Sequence, residues 1–284
     1  MITKKNTLYL LLIISLLFFN ELSYGQFQLC GTVLTQEQID KEKKNQSLIP
    51  PAQYPGFAPI HCLRKTVSIN AYIMRDSLGN DGITQAAILN AISGVNVNFE
   101  PMCLSFQVCA FTYVDNYNYD DFLKPLDEAE LVALHYVPNT INMYFAQKVQ
   151  VTQGNYVGGY AYFPGGLDFI IISKGSATSD VISHELGHFF GLYHTFETKF
   201  GAEFVNQSNC ISAGDLLCDT PADPNGVAGL DCQLSPYTKD LNGDWYVPET
   251  GNIMSYYSGC TCGFTTQQFN RMAEQYLTIR NYLW

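Results

Sequence analysis

Apolar and polar positions alternate in two early stretches of the chain, residues 66–74 and 104–113. A period of two is typical of a β-strand with one buried face. On the buried face of the first stretch we place Val67, Ile69, Ala71 and Ile73. Shorter apolar runs at 141–145 and 169–173 also predict strands, so we expect a sheet in the first half of the chain.

Helical spacing occurs in three segments, residues 83–99, 180–190 and 266–282. The last of these follows Thr265, whose hydroxyl can cap the helix while the side chain of Gln268 reaches back to the cap. One face of that helix is apolar and consists of Phe269, Met272, Ala273, Tyr276 and Ile279. Strands and helices that alternate in the first half indicate a mixed α/β fold.

Two long stretches lack a regular period, residues 26–64 and 196–252. The first contains four prolines, and we interpret it as an irregular leader that lies on the rest of the molecule. The second is rich in Gly, Pro, Asn, Asp and Cys. An irregular stretch of that length in a compact domain usually needs cross-links or metal ions.

The first 25 residues have the features of a secretory signal peptide. Lys4 and Lys5 precede an apolar run over residues 8–19, and small residues follow before position 26. The alternative is a transmembrane anchor, but a bilayer span needs about 20 apolar residues and this run is shorter. We therefore predict a secreted protein without a membrane anchor.

Charge and cysteine content narrow the possible functions. Lys and Arg number 15 against 26 Asp and Glu, which gives a formal net charge of −11. Binding to nucleic acid or to anionic membranes depends on clustered Lys and Arg, so both are disfavoured. Apolar residues make up 47% of the chain, which excludes a disordered protein. Nine cysteines favour an oxidising compartment.

Three of the five histidines lie within one run of eleven residues. His184 and His188 are four residues apart, so on a helix both rings project from one face and can share a metal ion. Gly191 permits the turn that ends the helix, and His194 can then supply a third nitrogen. A lone pair of histidines would more often be two surface residues, but the fixed offsets of Glu185, Gly191 and His194 favour a metal site.

This arrangement predicts a catalytic zinc ion. Three neutral imidazoles around zinc leave a fourth position open for water. Zinc lowers the pKa of such a water towards about 7, and Glu185 can take its proton as the general base. We therefore assign His184, His188 and His194 as zinc ligands.

A second candidate element lies 60 residues after His194. The sequence Asn-Ile-Met-Ser-Tyr at 252–256 can form a tight turn that places Met254 beneath the metal. Methionine is polarizable and fits irregular space, so it can support the histidines by packing. Tyr256 can direct its hydroxyl at the metal or at a developing oxyanion, and we predict a catalytic role for it.

The string from His184 to His194 resembles the metzincin signature H-E-x-x-H-x-x-G-x-x-H. Within metzincins, the chain most resembles the pappalysin family. Motifs similar to those of that family recur at residues 194–196, 214–221, 252–256 and 264–272. The chain departs from the family pattern at Ser255, where Asp is frequent, and this difference affects hydrogen bonding in the turn.

The resemblance implies a two-part catalytic domain with the metzincin fold. Residues 65–195 would form an α/β upper subdomain, in which a twisted mixed sheet carries a backing helix and an active-site helix. Residues 196–284 would form an irregular, disulfide-stapled lower subdomain with the Met-turn and the C-terminal helix. Residues 26–64 would be a prosegment, and we expect the enzyme to be a monomer.

The family also implies structural calcium near residues 215–220. Asp215, Asp219 and Thr220 offer hard oxygen donors on a loop that is otherwise unanchored, which suits calcium. Aspartates that only form turns are the alternative.

Nine cysteines leave at least one outside any intramolecular pair. The other eight allow 105 pairings, so the residues alone do not fix the connectivity. The resemblance implies two pairings in the lower half, Cys210 with Cys232 and Cys218 with Cys260 or Cys262. Cys103 and Cys109 flank a strand segment and could bond locally.

Cys30 is the best candidate for the remaining thiol. The sequence Cys30-Gly31-Thr32 is similar to a leader motif of pappalysin-like precursors. A thiolate is a strong zinc ligand and could occupy the open position until the leader is removed by cleavage near Arg64–Lys65. An ordinary disulfide at Cys30 is the alternative.

Residues 158–164 alternate and end in a proline. In metzincins an edge strand above the cleft pairs with the substrate backbone, and we expect this segment to be that strand rather than a plain loop. The function predicted is a secreted zinc endopeptidase, made as a zymogen, that acts on peptides or proteins. The alternatives are a secreted binding or adhesion protein that keeps the fold without turnover, and a zinc hydrolase of non-peptide amides. The intact Glu185 favours an enzyme, because a binding protein has no need of a general base.

Overall fold

The computed structural model describes residues 28–46, 59–224, 237–257 and 261–284. The predicted signal peptide lies outside these ranges. No helix within them is long and apolar enough to cross a bilayer.

The upper half is built from strands and helices that alternate along the chain. The strands are β1 (Gln28–Cys30), β2 (Lys65–Met74), β3 (Leu104–Val114), β4 (Asp121–Leu123), β5 (Ile141–Ala146), β6 (Lys148–Thr152), β7 (Asn155–Ala161) and β8 (Phe169–Ser173). The helices are α1 (Gln36–Gln46), α2 (Gln85–Phe99), α3 (Lys124–His135), α4 (Ser179–Phe189) and α5 (Thr266–Thr278). This order confirms the predicted α/β upper subdomain and the C-terminal helix.

The strands form one mixed sheet in the order β3-β2-β5-β8-β7-β6-β4, and β1 pairs with β7. The central strands β2, β5 and β8 are parallel, whereas β7 runs antiparallel to both β8 and β6. Every residue of β5 and β8 is buried. Burial on both faces explains why these two strands appear as continuous apolar runs rather than alternating ones.

Helices cover both faces of the sheet. The larger core lies between the sheet and helices α2 and α4, while Leu131 of α3 belongs to the cluster on the other face. That second face is aromatic: the ring of Tyr144 stacks on Tyr72 and on Phe169 at 4.6 Å between centroids. Gly94 lets α2 approach α4 closely, because a Cβ there would lie 2.6 Å from the Cβ of Ser179.

Several elements have no clear signal in the sequence, among them helices α1 and α3 and strand β6, whereas β7 overlaps the predicted edge strand at 158–164. Helix α1 has Ile39 as its single apolar residue, so the segment lacks a helical period. Helix α3 was missed, and among its residues only Leu131 is described as fully buried. The hairpin of β6 and β7 is closed by Gly154, whose φ of +80° gives the turn.

The described residues of the lower half are irregular up to α5, as predicted. Helix α5 begins with the predicted capping box, in which Thr265 and Gln268 exchange hydrogen bonds. The helix ends at Thr278 rather than near residue 282, so Ile279 caps the helix instead of extending its apolar face.

The predicted disulfide connectivity is wrong, although the lower half does contain a disulfide. Cys210 pairs with Cys218 rather than with Cys232, so Cys218 is also not bonded to Cys260 or Cys262. The intervening loop folds back and brings the Cα atoms of the pair to 5.1 Å. Cys232 and Cys260 lie outside the described residues.

A second disulfide joins Cys62 to Cys103, so the predicted local bond between Cys103 and Cys109 is also wrong. Cys109 lies six positions after Cys103 along an extended strand, which amounts to about 20 Å at about 3.3 Å per residue. The Cys62 bond fastens the residues just before β2 to the start of β3.

The end of the chain is fixed by a buried ion pair between Arg280 and Asp168. The guanidinium also donates to the main-chain oxygens of Phe189 at 2.8 Å, Tyr162 at 2.9 Å and Phe163 at 3.2 Å. Arg280 therefore holds the segment after β7 and the end of α4 in one arrangement.

We expect Arg280→Met to lower the free energy of unfolding by about 3–5 kcal/mol, because it leaves the buried carboxylate of Asp168 without its counter-ion. Denaturant unfolding of the variant and of wild type measures this change in the free energy of unfolding. Lys148→Met, at a half-exposed pair with Asp121, is the control and should cost less than about 1 kcal/mol. Equal effects of the two substitutions would contradict the stabilising role of the buried pair between Arg280 and Asp168.

Candidate active site

Helix α4 positions two of the three histidines. Thr178 caps the helix by accepting a hydrogen bond from the N–H of Val181. His184 and His188 follow on one buried face of the helix. Gly191 then reverses the chain with a φ of +92°, which a residue with a Cβ rarely adopts, and this turn brings His194 back to the pair.

The three imidazoles converge through their Nε2 atoms. The Nε2 atom of His188 lies 3.2 Å from that of His184 and 3.1 Å from that of His194, and the remaining pair is 3.2 Å apart. The other ring nitrogens of the helix pair face main-chain oxygens: Nδ1 of His184 donates to Ile253 and Nδ1 of His188 donates to Leu192, both at 2.7 Å. A proton on Nδ1 leaves the Nε2 lone pair free to point at a common centre.

Burial keeps all three rings neutral near neutral pH. It lowers the pKa of His184 to about 4. Burial, together with the neighbouring histidines, lowers the pKa values of His188 and His194 well below the ordinary value. Neutral imidazole is the form that binds a metal ion.

The thiol of Cys30 completes the cluster. The sulfur and one nitrogen from each histidine all lie within 4.8 Å of one another. No other group of three His, Cys, Asp or Glu side chains gathers in this way in the described ranges. The structure therefore brings together the three predicted zinc ligands and the predicted zymogen ligand.

Glu185 is fully buried beside this cluster. Its Oε2 atom faces the thiol of Cys30 at 3.4 Å and the hydroxyl of Thr32 at 3.2 Å, while Oε1 has no hydrogen-bond partner among the described residues. Burial raises the pKa of Glu185 to about 8. Gly159 of β7 makes room for it, because a Cβ at that position would lie 3.2 Å from Cγ of Glu185.

Met254 packs against the histidine-bearing helix α4. Its sulfur occupies the space beside Gly187 on α4, so a side chain at 187 would collide with it. The turn is anchored at both ends, because Asn252 accepts from the N–H of Met254 at 2.9 Å and the carbonyl of Met254 accepts from Thr195 at 3.2 Å.

Tyr256 packs against the histidines, and its hydroxyl donates to the main-chain oxygen of Cys30 at 3.3 Å. Its ring centroid is 5.0 Å from that of His194 and 5.8 Å from that of His184. Burial and the nearby Cys30 and Glu185 raise the pKa of the phenol, so it is neutral and can donate a hydrogen bond.

Two family models match this part of the chain. The one described as Pregnancy-associated plasma protein-A, of peptidase family M43, matches residues 142–277. A reprolysin-like metallopeptidase model of family M12B matches residues 85–195. The chain is a pappalysin-like metzincin metalloprotease.

Curated relatives of this metzincin are named extracellular metalloproteases. One from Podospora anserina is 30% identical over 188 residues, which are 58% of this chain and 59% of that protein. The chain thus covers less than two thirds of that relative. Another from Arthroderma benhamiae is 26% identical over 235 residues, or 75% of this chain and 79% of that protein.

Solved structures show the same fold. A promirolysin mutant of Tannerella forsythia matches with a TM-score of 0.62 at 17% identity, over 90% of this chain and 96% of that one. Mature mirolysin in complex with a cleaved peptide matches with a TM-score of 0.58 at 18% identity, over 76% of this chain and 94% of that one.

Membership of the metzincins implies a catalytic zinc ion, and the histidine cluster of this metzincin fits one. In a tetrahedral site with Zn–N bonds of about 2.0–2.1 Å, nitrogen ligands lie about 3.3 Å apart. The three observed separations are 3.1–3.2 Å. Neutral rings and backbone acceptors at Nδ1 agree with the same assignment.

The predicted calcium ligands Asp215, Asp219 and Thr220 hydrogen-bond within the protein. Both oxygens of Asp219 accept hydrogen bonds at the start of α5, from the Thr265 hydroxyl and the Gln267 N–H. Asp215 and Thr220 bond to each other at 2.9 Å, and the described residues hold no cluster of three acidic or histidine side chains at this loop. Calcium at this loop therefore stays a prediction.

Sequence reasoning missed a carboxylate next to that loop. Glu203 is buried, and neither of its oxygens has a partner among the described residues, nor has Oδ2 of Asp215. Burial raises the pKa of Glu203 to about 8, with a further contribution from Asp215, and burial raises the pKa of Asp215 to about 7. Glu203 lies in a stretch without periodicity, so nothing in the sequence pointed to it.

Asp223 was also missed by sequence reasoning. It supplies the hydrogen-bond partner of Ser255 in the Met-turn. Its carboxylate accepts from the hydroxyls of Thr195 at 2.8 Å, Ser255 at 3.1 Å and Tyr257 at 3.1 Å. A carboxylate from another loop thus bonds to Ser255, the position where the family turn often has aspartate, and it fixes the residues on both sides of Tyr256.

Thr32 is the third residue that was missed, although a signal for it exists. Cys30 and Thr32 are two residues apart in extended chain, so their side chains lie on the same face. Both reach Glu185.

We expect the purified full-length chain to contain about one zinc ion, because three preorganised neutral imidazoles bind it tightly. His194→Ala should lose the metal, whereas His61→Ala should retain it, since His61 is exposed and outside the cluster. Elemental analysis by mass spectrometry measures both. Full zinc content in His194→Ala would contradict the ligand assignment.

Proposed function

We propose that this metzincin is a secreted zinc endopeptidase made as a zymogen. The observation that carries the proposal is the convergence of three Nε2 atoms beside a buried glutamate whose partners come from the N-terminal segment. Relatives named extracellular metalloproteases support secretion. The signal peptide and the monomeric state stay predictions.

The residues His184, His188 and His194 would hold the zinc. When bound, zinc supplies a Lewis acid that polarises the substrate carbonyl and acidifies a water molecule. The fit rests on the separations of the ring nitrogens and on their neutral state.

Glu185 is the general base of the proposed reaction. Its carboxylate takes the proton of the attacking water and returns it to the leaving nitrogen, so this nitrogen leaves as a neutral amine rather than as an amide anion. The intact glutamate argues against a binding protein without turnover.

Tyr256 and Met254 have supporting roles. The Tyr256 phenol now donates to the oxygen of Cys30 and can donate to a developing oxyanion once that segment has left. Met254 packs against Gly187 and keeps the histidine-bearing helix at a fixed height above the turn.

The substrate would lie along the side of β7 that β1 occupies in this structure. The backbone groups Gly159 O and Ala161 N face the N-terminal segment: Gly31 donates to the former at 2.8 Å, and Thr32 accepts from the latter at 2.9 Å. An extended peptide can use these same groups by strand addition. A cavity of about 190 Å³ between α4 and the Met-turn reaches His184 and has room for a peptide side chain.

Latency would rest on residues 28–32. Cys30 reaches the histidines, Thr32 contacts Glu185, and both lie on a segment that pairs with β7. This segment would therefore occupy the fourth ligand position of the metal, the base and the substrate strand at the same time. We propose that it must leave before a peptide can bind.

The Cys62–Cys103 disulfide changes what a cut at Arg64–Lys65 would do. Such a cut lies after Cys62, so the prosegment would stay covalently attached to β3. The N–H of Lys65 also donates to Cys103 at 3.1 Å, which places the bond within ordered structure. A single cut that releases residues 28–46 must fall before Cys62.

Glu185→Ala should lower kcat for a casein-derived peptide by about 10²–10⁴, because the general base is lost. Zinc content and the thermal unfolding midpoint should stay close to wild type, since the glutamate is not a ligand. Glu100→Ala, at an exposed position, is the control. Undiminished cleavage by Glu185→Ala would refute the mechanism.

Cys30→Ala and Thr32→Val should each raise the activity of the uncleaved chain by about tenfold. Each removes contacts worth about 1.4 kcal/mol or more, and tenfold in the open population corresponds to that energy. The double variant should be more active than either single variant. Val33→Ala, at an exposed position, is the control. Uncleaved wild-type protein with full activity would contradict latency.

Intact mass spectrometry without reductant should place the N-terminus of the released enzyme on the N-terminal side of Cys62. A cut at Arg64–Lys65 should instead give a fragment that separates from the enzyme only after reduction. Free enzyme that begins at Lys65 under non-reducing conditions would show that the Cys62–Cys103 disulfide does not hold the prosegment.

A further inference from the structure

The prosegment continues beyond Thr32 into an apolar groove. Leu34 and Ile39 pack in a buried cluster with four residues of the catalytic body, namely Phe163, Tyr193, Phe200 and Leu216. We call these four residues, together with Arg271, the prosegment groove.

Arg271 gives the groove its charge preference. Its guanidinium lies 4.4 Å above the ring of Tyr193 and donates to Gly191 O at 2.8 Å. The same guanidinium pairs with Glu42 of α1 at 3.4 Å. The groove therefore combines an apolar floor with a partly buried cation at one side.

Helix α1 fills this groove incompletely. A cavity of about 120 Å³ remains between the helix and the catalytic body. The α1 side chains that line it are Gln38, Lys41 and Glu42, at the helical offsets i, i+3 and i+4. A helix with an apolar residue at one of these positions would bury more apolar surface here than the prosegment does.

The groove continues directly from the substrate strand. Phe163 comes two residues after Ala161, where β7 ends, and its ring lies 5.4 Å from that of His188 and 5.5 Å from that of Tyr193. In the prosegment, only Val33 separates Thr32 on β7 from Leu34 in the groove. A chain paired with β7 thus reaches the groove within a few residues.

We propose that, once residues 28–46 have left, the prosegment groove binds an amphipathic helical segment of the protein substrate, with an apolar side and a carboxylate that faces Arg271. The segment would lie a few residues from the bond to be cleaved. Helix binding in an apolar groove, with anchors at i, i+3 and i+4, is a common mode of peptide recognition. This proposal rests on the proposed endopeptidase function.

Binding is tested on the full-length chain with Cys30→Ala, Leu34→Asp and Ile39→Asp, which removes the anchors of the prosegment without truncation. The probe is a fluorescein-labelled peptide with the sequence of residues 33–46. It should bind saturably to this variant and not to wild type, where the groove is filled. Zinc content equal to wild type shows that the variant is folded.

Peptide variants test the chemistry of the groove. Lys41→Met in the peptide should tighten binding about tenfold, since it buries apolar surface in the cavity. Glu42→Lys should weaken binding about tenfold, since it opposes Arg271. On the protein, Gln275→Glu adds a negative charge at the cavity and should weaken the unmodified peptide severalfold. Glu274→Gln, at an exposed position on the same helix, should not.

Cleavage by the same full-length variant tests the role in substrate recognition. A short peptide substrate is compared with two versions that carry the 33–46 sequence before or after the scissile bond. One extended substrate should have a KM about tenfold lower with kcat unchanged, and Glu42→Lys in the extension should abolish the gain.

The outcomes separate the groove from the catalytic proposal. Cleavage of the short substrate without a gain for either extension would overturn the proposed recognition, as would a probe that does not bind. No cleavage of any substrate by a zinc-loaded variant would refute the endopeptidase function, while the binding measurements would still decide whether the groove takes such a helix.

Discussion

Two backbone carbonyls orient the helix α4 histidines of the proposed metal site. Ile253 O and Leu192 O each accept the Nδ1 proton of one histidine on α4, and they turn the Nε2 atoms toward a common point. The first carbonyl belongs to the Met-turn and the second to the chain after Gly191. The metal site therefore depends on the lower half closing against the upper half, and Arg280 secures this contact through buried bonds to Phe189 and Asp168.

The N-terminal segment uses the same features that a substrate needs. It pairs with β7, its thiol reaches the histidines, and its threonine reaches Glu185. Under the proposed zymogen function, this short stretch would keep the catalytic centre silent without distorting it. Helix α1 adds a weaker hold, because it is mostly polar and fills its groove only in part.

Features carried by residues close together in sequence could be predicted. The fixed offsets from His184 to His194, the alternating strands and the Thr265 capping box depend on local geometry, which the sequence displays directly. Features that depend on distant loops could not. Asp223 meets Ser255 only after an irregular segment has folded back, and Cys62 meets Cys103 only once β2 and β3 lie side by side. Helix α1 could not be predicted because it has one apolar anchor rather than a periodic apolar face.

X-ray absorption at the zinc edge of the uncleaved full-length chain identifies the ligands of the metal. We expect one zinc ion with three nitrogen ligands at about 2.0 Å and one sulfur ligand at about 2.3 Å. In Cys30→Ala the sulfur shell should disappear while the three nitrogens remain. A sulfur shell that survives this substitution, or fewer than three nitrogen ligands, would contradict this ligand set.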